Sequence, residues 1–263
     1  MYLLKQRHGH RSGHGQVVVI VNLARALVQR AAHDQPHDHL GALVAAQARE
    51  VVDAHLGQAL GVSDEYAIAD EGTGVRKIPR LKGHAALARH VARSLVDDEF
   101  DLTIFQDLPI DHGLHSPLTM MWPTSPDWPG RVIPLFVNVL QHPLPKPIRC
   151  FKLGKAIRKA IESYPEDLKV AMVGTGGLSH QMIGDRAGFN DERWDREFLD
   201  LIDRDPERLA NMPLEEYMRL GGNEGAEVIM WLIMRGALEP GMRKVHQNYY
   251  LPMTTAMAVA LFE

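Results

Sequence analysis

Residues 170–181 read Val170-Ala171-Met172-Val173-Gly174-Thr175-Gly176-Gly177-Leu178-Ser179-His180-Gln181. An apolar run with strand character ends at Gly174, and two more glycines follow at 176 and 177. Glycine lets the backbone bend sharply and lets a small ligand approach it closely. A histidine delivered just beyond a strand end is where an α/β protein keeps an acid–base group. On position alone, His180 reads equally well as a structural histidine packed beside a turn.

The flanking sequence repeats the strand-then-helix theme. Leu87, Val91 and Leu95 recur at helical spacing within residues 83–100. Residues 102–105 read as a short strand. Residues 132–140 read as a second strand, bent or near an edge because Pro134 interrupts it. Residues 152–164 form a helix with Ala156, Ile157, Ala160 and Ile161 on one side, and residues 168–173 form the strand before the glycine turn. Asp205-Pro206 opens another helix, and Asn223 N-caps one that runs through Arg235 and stops at Gly236. This order predicts an α/β fold: a single domain whose central, mostly parallel or mixed sheet is flanked by helices.

Composition narrows the class. The chain has 263 residues, enough for a full core, with a net charge of −4 that gives no basic excess for nucleic acid. Its single cysteine, Cys150, excludes an internal disulfide and a multi-cysteine zinc site. The apolar run 17–28 contains Asn22 and Arg25 and is too short to span a bilayer. No secretory pattern opens the chain, so the cytoplasm is expected and no membrane partner. Residues 1–60 differ in kind. They hold seven of the 14 histidines and no Phe, Trp or Thr, with a possible strand at 17–22 and a helical stretch at 42–56. They read as an atypical N-terminal segment ahead of a main domain at 61–263.

Three segments carry candidate chemistry. The first is the turn with Ser179 and His180. The second is Asp111-His112-Gly113-Leu114-His115, where His112 and His115 could be a metal pair, an acid–base pair or ordinary structural residues. The third is Gly221 to Gly236, where Glu224 and Glu227 are three apart on one helical face and Glu227 heads a strongly apolar helix. A carboxylate facing such a core must be paired, protonated or metal-bound, unless it serves as a first-turn acid favoured by the helix dipole. The dinucleotide fingerprint fails because Ser179 stands where a third glycine belongs. There is no GxSxG elbow and no P-loop.

These segments together resemble the class III extradiol ring-cleaving dioxygenases, in particular the catalytic β subunit of the protocatechuate 4,5-cleaving type and its gallate-cleaving relatives. The residues that carry the resemblance are Val62-Ser63-Asp64-Glu65-Tyr66, Ala69-Asp70-Glu71-Gly72, Lys82-Gly83-His84, Asp111-His112-Gly113, 173–181, 224–238 and Tyr249-Tyr250-Leu251-Pro252. The resemblance implies non-haem Fe(II) and no organic cofactor, with O2 inserted into a catechol carboxylate next to its diol. It implies His180 as the base, His112 as a second acid–base or orienting histidine, and Glu227 as the carboxylate iron ligand. Thr254 and Ser179 are then implied as substrate contacts. A separate small α subunit, in an α2β2 assembly, or a homo-oligomer is implied as partner, since a chain ending at Glu263 leaves no room for a fused small domain.

One departure follows from the same resemblance. The family's two iron histidines lie in its N-terminal part, one of them directly after a strand ending in Asn-Asp-His. Residues 17–22 are similar to that strand, but Leu23 and Ala24 stand where Asp and His belong. The compositional break predicts a misassigned start or a shifted reading frame, which translating the upstream DNA in three frames would reveal. His8, His10, His14, His33, His37, His39 and His55 are the substitutes available. A metal-free homologue serving as a binding or assembly subunit is the alternative reading, and a zinc hydrolase built on His112, His115 and Glu227 is a third.

Overall fold

The computed structural model describes residues 16–23, 58–69, 78–122, 127–139 and 143–263. Its centre is a five-stranded sheet in the order β5-β2-β6-β1-β7, formed by β1 (Gln16–Leu23), β2 (Gln58–Gly61), β5 (Thr103–Phe105), β6 (Arg131–Val137) and β7 (Lys169–Gly174). β1 is parallel to both β6 and β7, whereas β2 runs antiparallel to β6 and parallel to β5. The carboxyl ends of β1, β6 and β7 therefore share one edge of the sheet. Two short antiparallel pairs complete the strands: β3 (Glu65–Tyr66) with β4 (Leu81–Lys82), and β8 (Lys244–Tyr250) with β9 (Met257–Phe262).

Both sheet faces are buried, which is why β1 and β7 read as nearly unbroken apolar runs. Val17, Val19 and Val21 of β1 face one core with Met172 of β7, while Val18 and Ile20 face the other with Ala171 and Val173. Helices α1 (Ala85–Asp97), α3 (Pro147–Glu162), α4 (Glu192–Arg204) and α7 (Ile229–Ala237) supply the first core. Helix α2 (His112–Met121) covers the second through Leu114 and Leu118. Between α4 and α7 lie α5 (Pro206–Asn211), α6 (Leu214–Gly221) and a 3-10 turn at Glu224–Val228. His84 caps α1, its Nδ1 accepting from the Leu87 backbone N–H at 3.3 Å, and burial lowers its basicity, which suits an acceptor role.

Several expectations shift. β6 is an interior strand rather than an edge. Its pairing with β2 covers only Leu135 to Val137, so Pro134 lacks a ladder partner on that side and its missing N–H is tolerated. The helix expected from residue 152 begins at Pro147, where proline suits a first turn. Asn223 does not N-cap the last long helix, because the 3-10 turn intervenes and α7 starts at Ile229. Gly236 lies inside α7 rather than ending it. A Cβ there would come within 2.2 Å of the Phe151 carbonyl oxygen, so glycine is required by the close crossing of α3 and α7. The helical stretch expected at 42–56 and the seven N-terminal histidines lie outside the described residues. Among the described residues no helix is long and apolar enough to cross a membrane.

Candidate active site

β7 delivers the chain to the shared strand edge, and the turn that follows is tied down on every side. The Thr175 amide and hydroxyl both donate to the Val21 carbonyl at 3.1 Å, which joins the turn to β1. Gly176 has φ +109°, a conformation side chains rarely adopt, and a Cβ there would press on Glu227 Cβ and Met230 Cε at 3.0 Å. The Trp231 indole donates to the Gly176 carbonyl at 3.3 Å. The turn thus rests directly on the 3-10 segment and helix that carry Glu227.

The histidine is held as firmly. Its backbone N–H donates to the Gly221 carbonyl at 2.8 Å, and its carbonyl accepts from the Gly225 N–H at 3.2 Å. Gly222, with φ +87°, bridges those two contacts, and a Cβ on it would stand 2.3 Å from the His180 carbonyl oxygen. The imidazole Nδ1 lies 2.8 Å from the Leu178 carbonyl oxygen. A carbonyl only accepts, so Nδ1 carries the hydrogen and the lone pair of the neutral ring sits on Nε2. Nε2 lies 3.9 Å from Glu227 Oε1, and the two side chains are only 5% and 8% exposed. Glu227 Oε2 accepts from the Gly177 N–H at 3.2 Å. The imidazole Nε2 and a carboxylate oxygen therefore meet at the end of the strand. They are too far apart for a direct hydrogen bond and close enough to act on one small molecule.

The other sequence candidates are placed differently. Ser179 is buried and its hydroxyl is committed: it donates to Asp195 Oδ2 at 2.7 Å and accepts from the Asp191 N–H at 2.8 Å. That placement fits a residue that positions its neighbour better than one that touches a ligand. Thr254 sits in the loop between β8 and β9, exposed, with Oγ1 3.8 Å from Met182 Sδ. Asn190 Nδ2 spans the two segments, donating to the Ser179 carbonyl at 2.6 Å and the Thr254 carbonyl at 3.0 Å. His112 is the exposed first residue of α2, after the buried N-cap residue Asp111.

Two site residues were missed in the sequence, Asp195 and Asn190. Asp195 had a visible signal: it lies four and seven residues before Leu199 and Ile202 on an otherwise apolar helical face. Among the described residues no group of three His, Cys, Asp or Glu side chains is placed to hold a metal ion. A ferrous centre with open positions takes two histidines and a carboxylate, so the described residues do not by themselves fit one. The zinc reading of His112, His115 and Glu227 likewise finds no such grouping.

An α/β sheet whose strand edge carries a fixed imidazole near a buried carboxylate is an arrangement suited to acid–base chemistry. The family model for the catalytic LigB subunit of aromatic ring-opening dioxygenase matches residues 43–261, and the chain belongs to this family. Gallate dioxygenase of Pseudomonas putida is 56% identical over 196 residues, which are 74% of this chain and 58% of that protein. A 2,3-dihydroxyphenylpropionate/2,3-dihydroxicinnamic acid 1,2-dioxygenase of Dechloromonas aromatica is 25% identical, over 65% of this chain and 68% of its own length. The chain therefore spans 58% of the length of its gallate-cleaving relative. In fold it is similar to the crystal structure of uncharacterized protein JW3007 from Escherichia coli K12, with a TM-score of 0.54 at 14% identity, covering 94% of this chain and 86% of that one.

Proposed function

We propose that this chain is the ring-opening unit of an extradiol dioxygenase acting on a catechol carboxylate of the gallate or protocatechuate type. The observation that carries the reading is the approach of His180 Nε2 to Glu227 Oε1 at 3.9 Å, with the imidazole tautomer set from behind by the Leu178 carbonyl. The similarity to gallate dioxygenase supports the substrate class.

Opening the ring beside a diol requires a hydroxyl proton to leave before oxygen adds, and a proton to return as the ring carbon–carbon bond breaks. His180 Nε2 is the base we assign to the first transfer and the acid we assign to the second. A histidine suits both, because its ordinary pKa lies close to neutrality. The Nδ1–H bond to Leu178 keeps the ring from rotating as the charge changes. Thr254 is assigned to the carboxylate end of the substrate, and His112 to a second orienting or proton-donating role. Glu227 is the carboxylate we assign to Fe(II), and among the described residues no group of three His, Cys, Asp or Glu side chains is placed around it to complete such a site.

That last point favours one rival reading, a metal-free homologue that binds or assembles without turnover. Purification without oxygen, loading with Fe(II) and mixing with gallate or protocatechuate separates the two. Stoichiometric iron with the absorbance of a ring-cleavage product supports the dioxygenase. A folded, iron-free and inactive protein supports the homologue. We also infer a protein partner, a small helical subunit or a second copy, over the exposed side chains Met182, Ile183, Tyr250, Met253 and Met257 near the site mouth. Light scattering of the purified chain, alone and with that subunit, tests it.

A further inference from the structure

We propose that Asp195 is a positioning residue for the reaction, because its one carboxylate holds both the segment that carries His180 and the hairpin that carries Thr254. This rests on the assignment of His180 as the acid–base group.

Asp195 lies on α4, outside the glycine turn, and is fully buried. Its Oδ1 accepts from the Ser179 N–H at 2.7 Å. Its Oδ2 accepts from the Ser179 hydroxyl at 2.7 Å and from the Tyr249 hydroxyl at 3.0 Å. Ser179 immediately precedes His180, and Tyr249 lies on β8, five residues before Thr254. The remaining polar atoms of Ser179 point the same way. Its carbonyl accepts from Asn190 Nδ2 at 2.6 Å and from the Ala256 N–H at 3.2 Å, and its hydroxyl accepts from the Asp191 N–H at 2.8 Å. A residue beside a reactive histidine is thus fixed at every hydrogen-bonding atom, and the anchor is one buried carboxylate.

Fully satisfied buried networks rigidify a site, and a partly satisfied one loosens it. Asp195→Asn keeps the shape but replaces one acceptor oxygen by an NH2 group, which faces either the Ser179 amide or the two hydroxyls. The Ser179 segment and the hairpin then lose part of the carboxylate link between them, leaving the Asn190 and Ala256 contacts to join them. A displacement of about 1 Å at a catalytic group lowers a rate by about 100-fold.

The test uses the full chain with Asp195→Asn, Ser179→Ala and Tyr249→Phe, the last two keeping α4 unchanged in case the first fails to fold. One readout is the 15N signature of the His180 imidazole by NMR, which reports tautomer and orientation without turnover. Wild type is expected to show a single form with Nδ1 protonated, and the variants a mixed or doubled one. The second readout, for the Fe(II)-loaded protein with gallate, is a fall in kcat of about 100-fold for Asp195→Asn with a far smaller change in KM. Unchanged imidazole signals together with unchanged kcat in all three folded variants would overturn the proposal. Altered signals in a protein that never turns over, wild type included, would uphold the positioning role and refute the dioxygenase reading.

Discussion

At the residue scale, the site consists of two groups whose surroundings leave each little freedom. Glu227→Gln preserves volume and the Gly177 contact but removes the charge, so iron content after anaerobic loading is expected to fall with little change in folding. Full iron in that variant would contradict the ligand assignment. Gly222→Ala places a methyl group against the His180 carbonyl on a backbone with positive φ. At φ +87° and ψ 165° the backbone lies in a region essentially reserved for glycine, which alone costs a side-chain-bearing residue about 1–3 kcal/mol, and urea denaturation should show a loss of that order. Burial raises the Asp195 carboxyl above its ordinary range, against the lowering effect of its Ser179 and Tyr249 hydrogen bonds. The folded state therefore keeps that proton at pH values where the unfolded chain has released it. The Asp195 contribution to stability falls as pH rises from the ordinary carboxylate range through the raised folded value. Urea melts across that window should show a slope that Asp195→Asn removes. His180 and Glu227 stood out in sequence because a glycine turn and a carboxylate heading an apolar helix are both local patterns, but each pattern alone read equally well as structural, and the roles proposed for them came from the family resemblance. The role of Ser179 was not legible, since its partner Asp195 is 16 residues away on another element.

At the scale of elements, α3 and α7 cross with backbone in contact. A Cβ on Gly154 would lie 2.0 Å from the Ile233 carbonyl oxygen, and Gly236 faces Phe151 in the same way. Gly154→Ala should therefore destabilise by about 1–3 kcal/mol through overpacking, read as a lower urea midpoint. It should also disturb the site, because α7 continues from the segment bearing Glu227. Strands whose two faces are buried were readable as continuous apolar runs. The interior place of β6 was not, because Pro134 argues for an edge until the short pairing with β2 is known. The 3-10 turn before α7 was hidden for a related reason: residues 224–237 carry one apolar pattern, and only tertiary packing sets where its winding changes.

At the scale of the whole molecule, the segment that looked foreign by composition contributes β1, which lies between β6 and β7 in the sheet. A chain truncated to begin at residue 58 loses that interior strand, along with the Val21 carbonyl that anchors the glycine turn. It is expected to be insoluble or to lack cooperative unfolding, and a well-folded truncation would contradict this topology. Cys150 reports on the integrity of the core: burial pushes its thiol up to about 12, so it should resist thiol reagents at pH 8 until the chain unfolds. The central claim is that His180 transfers protons for ring opening beside Glu227. Oxygen uptake on mixing anaerobically Fe(II)-loaded protein with gallate, compared between wild type and His180→Ala at equal iron content, tests it most directly. The account predicts one O2 consumed per gallate in wild type and a rate at least about 100-fold lower in the variant. Equal rates in the two proteins would contradict it.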